Sequence, residues 1–477
     1  MTFSVDFRTV FAAICLVTAP VCASAQSDEV DPAPGLPDEL QEAAARLIEA
    51  GLVSDLGYEI LESLTTEIGP RLAGSENEAR ARAWAENRLN GLGFENVRIE
   101  PFSIDYWERG ETRAEIVSPY PQPLTLTALG GSAPTGRRGV EADIVRFPNM
   151  ESLRAYEGSL EGKIAFIDDE MTRTQTGSGY GVGGEKRRTG WVEASKRGAV
   201  AVVIRSAGTS EHRFPHTGGM QSRAQNPDVD PIPAFALSIP DANLLKRMVA
   251  RGQTVRLRLF TGSRYRGERL SGNVIAEIPG RERPEEIVVI GAHLDSWDLG
   301  TGAIDDGAGV AITTAAAKLI MEHAPRPRRT IRLVLWGSEE VGLLGARAYA
   351  EAHADELANH VMAAESDFGA DVIWKVDTKV GAAALPAMQA IVSALKPLKI
   401  DPGANTATSG GPDTIPLAQA GVPVASLTQN GWDYFDTHHT PNDVLERVDP
   451  DKLAQNVAAY AAFAWLAAEM DADFRAE

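Results

Sequence analysis

Cysteine is nearly absent from this sequence. The 477 residues include only two cysteines, Cys15 and Cys22. Both lie in an apolar N-terminal segment that ends in an Ala-Ser-Ala cleavage pattern at residues 23–25, so residues 1–25 are predicted to be a secretory signal peptide. The mature chain would then have no disulfide, no thiolate zinc site and no cysteine nucleophile. Any bound metal must therefore be held by histidine, aspartate or glutamate.

Positive charge and long apolar runs are also scarce. There are 46 lysines and arginines against 66 acidic residues, which gives a formal net charge of -20. This excess of negative charge argues against nucleic acid or an anionic membrane as a partner. After the predicted signal peptide, no apolar run is long enough to span a bilayer. The sequence thus predicts a protein that is exported to a periplasm or to the medium, with no membrane attachment after signal cleavage.

The order of predicted elements indicates an α/β fold with a doubly wound, mixed sheet. Residues 26–54 are expected to form a lead-in and a helix. Strand–helix alternation begins in residues 55–113 and resumes in residues 266–477, so these two stretches are assigned to one catalytic domain. Between them, residues 114–265 consist of short β-like runs broken by glycine and proline, and are predicted to form an inserted α/β domain.

Three local patterns make finer predictions. Apolar periodicity predicts one helix from Trp191 to Arg197 and another from Val341 to Glu356. Ser75, followed three residues later by Glu78, predicts a capping box at the start of a helix.

The stretch HLDSWDLGTGAIDD, from His293 to Asp306, has the clearest chemical content. It overlaps the end of the apolar run EIVVIGAH, which is short, β-branched and without alternation, as expected of a buried strand. A helical pattern follows at once, so the acidic cluster should lie at the carboxyl end of a strand, where open α/β sheets place their sites. Closely spaced carboxylates repel one another, and a divalent metal is their simplest counter-charge. A solvated, glycine-rich loop is the alternative.

Acidic residues and histidines recur at the ends of other predicted strands. Five strand-end or loop positions carry side chains able to bind a metal, and the set predicts a metal site more strongly than any single position. The five pairs are His293 and Asp295, Asp305 and Asp306, Glu339 and Glu340, Glu365 and Asp367, and His438 and His439.

Such a set suits metal-assisted hydrolysis. Two cations about 3.5–4 Å apart can hold an attacking water and a substrate carbonyl, and they lower the pKa of the water from about 15.7 to about 7. Imidazoles and carboxylates are suitable zinc ligands, while one carboxylate must stay unligated to carry the proton to the leaving amine. Glu339 and Glu340 can divide these tasks, because successive side chains of an extended segment point in opposite directions.

Several longer motifs resemble those of the M28 family of zinc-dependent peptidases and, within it, the plasma glutamate carboxypeptidase branch. The motifs are GPRLAGS at Gly69, ALGGS at Ala128, PHTGGMQ at Pro215, GAHLDSWDLGTGAIDDGAG at Gly291, RLVLWGSEEVGLLGA at Arg332, ESDFG at Glu365 and HHTPND at His438. The resemblance covers nearly all of the mature chain. It implies a fold of the zinc-exopeptidase type, in which residues 114–265 form a protease-associated domain.

The resemblance also implies roles for individual residues. The implied ligands of two zinc ions are His293, Asp305 and Asp367 for one, and Asp305, Glu340 and His439 for the other. Glu339 would be the general base. Asp295 and Asp306 would lie behind the ligands, with Asp295 orienting His293. The peptide bond between Asp305 and Asp306 would be cis.

Other assignments are open at this stage. His439 stands where the family has a ligand, and His438 is predicted either to help stabilise the oxyanion as a catalytic residue or to be a structural neighbour. Asp413 either forms a turn or lines the substrate pocket. His212 and His216 either build a loop or reach into a neighbouring site. The remaining histidines are expected to be structural: His323, His353 and His360.

Together these features predict an exported metallo-exopeptidase with two zinc ions that hydrolyses dipeptides or short peptides. The inserted domain would cap the site and could help to form a homodimer. An aminopeptidase acting on longer peptides is the alternative within the class. A one-zinc acyl-transfer enzyme of the glutaminyl-cyclase type and a non-catalytic binding module are alternatives on the same fold. The full set of metal-competent residues disfavours both.

Overall fold

The structure is a computed structural model that describes residues 35–475. The predicted signal peptide, its cleavage position and residues 26–34 of the lead-in lie outside this range. The strands are β1 (Glu95–Glu108), β2 (Thr112–Ser118), β3 (Gln122–Leu124), β4 (Leu126–Ala128), β5 (Val140–Phe147), β6 (Ile164–Ile167), β7 (Ala201–Arg205), β8 (Ala234–Leu237), β9 (Arg256–Thr261), β10 (Arg264–Ile278), β11 (Arg283–His293), β12 (Arg329–Trp336), β13 (His360–Glu365), β14 (Ile373–Lys379), β15 (Asp401–Pro402) and β16 (Val424–Gln429). The α-helices are α1 (Asp38–Leu52), α2 (Leu56–Ser63), α3 (Glu76–Leu92), α4 (Met150–Arg154), α5 (Gly179–Gly183), α6 (Glu185–Ser195), α7 (Ile239–Ala250), α8 (Ala308–His323), α9 (Leu344–Ala352), α10 (Leu385–Ala394), α11 (Ile415–Gln419), α12 (Tyr434–Thr437) and α13 (Pro450–Glu469).

The main sheet has the strand order β1-β10-β12-β11-β13-β16-β14-β15. Its centre, from β12 through β11 and β13 to β16, is parallel, and antiparallel pairs flank the centre on both sides. This arrangement confirms the predicted mixed α/β sheet. Because β11, β12 and β13 are parallel neighbours, their carboxyl ends meet at one edge of the sheet.

The middle strand β11 is buried on both faces. Val288 and Ile290 pack into the core that contains α1, α8 and α13, whereas Ile287 and Val289 pack on the opposite face against residues of α9 and α11. Burial on both faces explains why the sequence of this strand is continuously apolar instead of alternating.

The C-terminal helix α13 forms the centre of the larger core. Its residues from Val457 to Ala468 are buried nearly all round. A Cβ atom at Gly51 of α1 would lie 2.5 Å from the Cα of Ala458, so glycine permits the close approach of these two helices. Within residues 35–475, no helix combines the length and the apolarity that crossing a bilayer requires.

A second sheet is built by residues 112–261, with the strand order β3-β2-β9-β5-β6-β7-β8-β4. One face packs against Leu245 of α7 and the other against Trp191 of α6. The chain reaches this sheet from β1 and leaves it into β10, and these two strands pair with each other in antiparallel register. The division into domains at residues 55–113, 114–265 and 266–477 stays a prediction.

Two predicted helices have different bounds in the structure. The helix expected from Trp191 to Arg197 is α6, which begins earlier, at Glu185. Its first turn buries Lys186 and Arg187, and because these residues are charged, the sequence shows no apolar pattern there. The helix expected from Val341 to Glu356 is restricted to α9. Leu343, immediately before it, has a left-handed backbone with φ 57°, and its N–H donates to the carbonyl of Glu339.

Only one of the two hydrogen bonds of the predicted capping box forms. The Ser75 hydroxyl accepts a hydrogen bond from the backbone N–H of Glu78 at 3.1 Å. The Glu78 carboxylate does not return the contact. It instead forms an ion pair with Arg82 at 2.7 Å and accepts from the Ser271 hydroxyl at 3.1 Å.

Candidate metal centre

The predicted metal ligands lie at the carboxyl edge of the central parallel strands. His293 is the last residue of β11, Glu340 comes four residues after β12, and Asp367 comes two residues after β13. Asp305 precedes α8, and His439 follows α12. The parallel register of β11 with β12 and β13 therefore brings together side chains that lie far apart in sequence.

Asp305 links two groups of ligand atoms. Its Oδ1 lies 3.1 Å from Nε2 of His293, and that nitrogen lies 3.5 Å from Oδ1 of Asp367. Its Oδ2 lies 3.1 Å from Nε2 of His439, which is 3.0 Å from Oε2 of Glu340. The two oxygens of one carboxylate thus face different histidines, and each histidine faces one further carboxylate.

The five candidate ligands are buried, and burial together with their mutual charges shifts their pKa values. None of the five side chains is more than 8% exposed. Burial, with added repulsion from Asp305, raises the pKa of Glu340. Burial acts to lower the pKa of His439, but Glu340 and Asp305 outweigh it and raise that pKa to about 9. Burial acts to raise the pKa of Asp305, but hydrogen bonds from His293 and His439 hold it well below the ordinary value.

The donor atoms fit divalent metal ions. Within residues 35–475, ligand atoms that lie within 4.8 Å of one another occur in three groups, of which one contains His293, Asp305 and Glu340. Glu340 Oε1 is buried and has no hydrogen-bond donor among the described residues. Imidazole nitrogens and carboxylate oxygens, with no sulfur, are a set that zinc accepts.

Glu339 stands beside the cluster and belongs to none of its ligand groups. Its backbone N–H donates to Oδ1 of Asp295 at 3.0 Å, which holds the segment after β12 against the loop after β11. Burial raises the pKa of its carboxyl well above the ordinary value, with further repulsion from Asp367 and Glu340. A carboxylate of raised pKa is suited to accept a proton near neutrality.

The two other predicted aspartates both contact His293, Asp295 by its own backbone carbonyl and Asp306 by accepting from the backbone of His293. Nδ1 of His293 donates to the backbone carbonyl of Asp295 at 3.0 Å, while the carboxylate of Asp295 is 3.7 Å away. His293 is therefore oriented by the main chain of Asp295 more closely than by its side chain. Asp306 accepts from the backbone N–H of His293 and of Gly309, each at 3.1 Å. The peptide bond between Asp305 and Asp306 is cis, as the resemblance implied.

Arg71 holds the ligand-bearing loop and was not identified from the sequence as a site residue. It is fully buried, and its guanidinium donates to three backbone carbonyls of that loop, of Leu294, of Thr301 at 2.6 Å and of Gly302 at 2.9 Å. Asp443 supports the same loop by accepting from the N–H of Ile304 at 2.6 Å. The only sequence signal for Arg71 was the motif GPRLAGS.

The loop that carries His438 and His439 is held by residues of the loop between β7 and β8. His439 donates from Nδ1 to the Thr217 carbonyl at 3.2 Å, and the Thr217 N–H donates to the His439 carbonyl at 3.0 Å. His216 donates from Nδ1 to the His438 carbonyl at 2.7 Å. Of the two readings left open for His216, the structure favours the one in which it reaches a neighbouring site.

Both histidines of this loop approach Asp305. Nε2 of His438 lies 3.4 Å from Oδ2 of Asp305, and the two imidazole rings stack with centroids 3.5 Å apart. Only His439 also faces Glu340. Burial, reinforced by the neighbouring His439, lowers the pKa of His438 well below the ordinary value, so its ring is neutral.

Other polar residues near the ligands were missed or left open by the sequence. The carboxylate of Glu365 accepts from the backbone N–H of Asp413 at 2.7 Å. Asp413 is buried and lies in a turn, which the hydrogen bond from the Ile415 N–H to the Pro412 carbonyl closes. Tyr180, Arg187 and Tyr434 had no sequence signal. Tyr180 comes from the second sheet's segment and meets the His438 ring edge-on, with centroids 4.9 Å apart.

The remaining candidates lie outside the cluster. Asp298, an acidic residue of the central motif, forms an ion pair with Arg109. His360 donates from Nδ1 to the Glu356 carbonyl at 3.0 Å and accepts from the Tyr349 hydroxyl at 2.8 Å, which is a structural role.

Known proteins resemble this chain in sequence and in structure. A family profile described as Peptidase family M28 matches residues 273–464. Carboxypeptidase Q of Bos taurus is 34% identical over 421 residues, which cover 88% of this chain and 87% of that protein. Aminopeptidase YwaD of Bacillus subtilis is 25% identical over 413 residues, which cover 83% of this chain and 81% of that protein.

A solved structure is more similar still. The peptidase M28 precursor from Shewanella amazonensis is 50% identical, with a TM-score of 0.89, over 91% of this chain and 98% of that one. The matched segment 273–464 contains His293, Asp305, Glu340, Asp367 and His439.

Proposed function

Because the chain belongs to peptidase family M28, we propose that it is an exported exopeptidase with two zinc ions that hydrolyses dipeptides or short peptides. The observation that carries the two-ion assignment is the position of Asp305, whose two oxygens face His293 and His439 separately. One ion would be held by Asp305 with His293 and Asp367. The other would be held by Asp305 with Glu340 and His439.

Zinc bound there supplies Lewis acidity for the substrate carbonyl and lowers the pKa of a water molecule from about 15.7 to about 7. The protein supplies the remaining steps. Glu339 accepts the proton of the attacking water and transfers it to the nitrogen of the leaving amine. Glu339 lies outside the groups of ligand atoms and its carboxyl has a raised pKa, and both features support this role. His438, neutral and within reach of Asp305, is proposed as a hydrogen-bond donor to the developing oxyanion.

A short substrate is supported by what covers the ligands. The backbone of Thr217 and the imidazole of His216 bond to the His438–His439 loop, and Tyr180 packs against His438. We propose that residues 114–265 are an inserted domain that caps the site and so limits substrate length. One relative is named carboxypeptidase Q and another is named aminopeptidase. These names correspond to the removal of residues from opposite ends of a peptide, and a panel of substrates distinguishes the two activities.

The first test is hydrolysis of free dipeptides, N-blocked dipeptides and longer peptides before and after chelation. Chelator-sensitive cleavage of the free dipeptides alone would support the proposal. Cleavage of long peptides with a free amino terminus would replace it with an aminopeptidase. Cyclisation of N-terminal glutamine with one zinc per chain would point to the acyl-transfer alternative.

Glu339→Gln tests the assignment of the base. We expect kcat to fall by about 10²–10⁴-fold with unchanged zinc content, because only the proton carrier is removed. The matched control is Glu351→Gln on the exposed surface of α9, which should leave kcat unchanged. A Glu339→Gln enzyme of full activity would exclude this mechanism.

A further inference from the structure

Residues 431–439 contain α12 and both histidines of the candidate metal centre, and they are held by residues 114–265. Every hydrogen bond that their main chain or their carboxylates form with a distant part of residues 35–475 goes to that stretch. The partners there are Arg173, Gln175, Thr209, His216 and Thr217. The placement of the His439 ligand thus depends on a part of the chain that supplies no candidate ligand of its own.

Arg173, in the loop between β6 and α5, contacts three residues of this segment, more than any of the other four partners does. Its Nη1 donates to the Trp432 carbonyl at 2.6 Å and to the Asp433 carboxylate at 2.8 Å. Its Nη2 donates to the Asp436 carboxylate at 2.5 Å and to the Thr209 carbonyl at 3.3 Å. One planar guanidinium therefore joins the segment to the loop that follows β7, with the charge-assisted geometry that arginine favours.

Asp436 carries this restraint towards the ligand. It lies in α12, three residues before His439, and its carboxylate also accepts from the Thr209 hydroxyl at 2.7 Å. The Thr209 N–H donates to the carbonyl of the preceding residue, Phe435, at 3.0 Å. A shift of Asp436 would therefore move the short helix from which the histidine loop departs.

The backbone of His439 needs such a restraint. It is left-handed, with φ 61°. This conformation is unfavourable for a residue other than glycine, and it persists where the surroundings hold it. His293 and Asp367 differ in this respect. They lie at or just after the ends of β11 and β13, and neither forms a hydrogen bond with the described residues of 114–265.

We propose that Arg173 is a positioning residue for His439, and through it for the zinc ion that His439 would hold with Glu340 and Asp305. This inference rests on the proposed function. Arg173 contacts no candidate ligand atom, so it acts by fixing α12 against residues 114–265. Its loss should weaken the ion at the Glu340–His439 site and spare the ion held by His293 and Asp367. The two ions would then differ in how strongly they depend on the proposed inserted domain.

The test is a zinc titration of the metal-free full-length enzyme against a competing chelator. Wild type should bind two zinc ions. In Arg173→Met the dissociation constant of one ion should rise by about 10–100-fold, as is typical when a residue that orients a metal ligand is removed, and that of the other should stay unchanged. Because the ligands themselves are intact, kcat on a free dipeptide should return to the wild-type value once zinc is raised to saturation.

Two variants calibrate this result. Arg154→Met is the matched control, because Arg154 forms an exposed ion pair with Glu185 within residues 114–265 and does not contact α12. It should bind both ions as wild type does. Arg173→Lys keeps the positive charge beside the two aspartates and should recover part of the lost affinity.

A double variant shows whether Arg173 acts through the ligand. His439→Ala should weaken the same ion, and adding Arg173→Met to it should cause no further loss, since the residue to be positioned is gone. If Arg173→Met does not fold, Asp436→Asn removes the same contact from the other side and should weaken the same ion by a smaller factor.

The possible results separate this inference from the proposed function. Two zinc ions in wild type with unchanged affinities in Arg173→Met would refute the positioning role and leave the two-zinc enzyme intact. Equal weakening of both ions would also refute it, because general loosening of the fold does not select one site. A further loss in the double variant would show that Arg173 does not act through His439. One zinc ion per wild-type chain would refute the two-ion function, and this inference with it.

Discussion

Substitution of Arg71 by lysine tests how far the metal centre depends on a residue that binds no metal. Arg71 spans three backbone carbonyls of the loop between β11 and α8, and it is fully buried. Lysine keeps the positive charge near Asp443 and Asp295. Its single ammonium group, however, cannot reach all three carbonyls that the planar guanidinium of Arg71 contacts. We expect it to keep one of the three hydrogen bonds.

The size of the effect follows from the bonds that are lost. A hydrogen bond involving a charged group contributes about 1.5–3 kcal/mol, so two lost bonds should lower the free energy of unfolding by about 3–6 kcal/mol. Residues that orient metal ligands from behind typically change metal affinity by about 10–100-fold. We therefore expect Arg71→Lys to bind zinc more weakly by a factor in that range.

Guanidinium unfolding and zinc competition with a chelator measure the two effects. Arg80→Lys is the matched control, because Arg80 is exposed and donates to the Glu67 carbonyl at 2.6 Å far from the ligands. It should change stability by no more than about 0.5 kcal/mol. If Arg71→Lys also stayed within about 0.5 kcal/mol, with unchanged zinc affinity, the loop would be held by other contacts and the reasoning would fail.

Two further predictions concern stability away from the ligands. Ser75→Ala removes the side-chain cap of α3 and should lower the free energy of unfolding by about 1 kcal/mol, whereas Ser159→Ala on the exposed surface should have almost no effect. His360 is held neutral by burial, which lowers its pKa from 6.5 to about 4. Between pH 6.5 and pH 4 the unfolded chain therefore takes up a proton that the folded protein does not, and stability falls by about 3 kcal/mol as the pH falls. In His360→Gln this contribution should vanish, and parallel pH profiles of wild type and variant in denaturant titrations would contradict it.

The central sheet could be predicted because its signals are local, and the resemblance to family M28 selected the five ligand candidates among the acids and histidines at strand ends and loops. The run EIVVIGAH is apolar throughout because β11 is buried on both faces, and His293, Glu340 and Asp367 lie at the end of a strand or a few residues after it. Parallel register then gathers them at one edge. Tertiary information was needed only to show that the two oxygens of Asp305 face two different histidines.

Arg187 and Tyr180 could not be predicted, because their contacts depend on long-range packing. Arg187 lies in the polar stretch EKRRT, where a buried charge has the same sequence appearance as a solvated one. For the same reason, this helix was predicted to begin at Trp191, whereas α6 begins at Glu185. The role of Arg71 could not be predicted for a similar reason. Its guanidinium binds main-chain carbonyls, so no acidic residue in the sequence marks its partner.

The contacts between Thr217 and His439 also determine when an active enzyme can form. These residues are 222 positions apart, and contacts of such separation close slowly because a long loop must be ordered first. Residues 112–261 are synthesised earlier and can fold as the chain emerges, but the loop with His439 finds its partners only near the end of the chain. The candidate metal centre can therefore be completed only after the segment that carries His439 has been synthesised. A fragment limited to residues 273–464 would carry every predicted ligand and lack Arg71, Thr217 and Arg187.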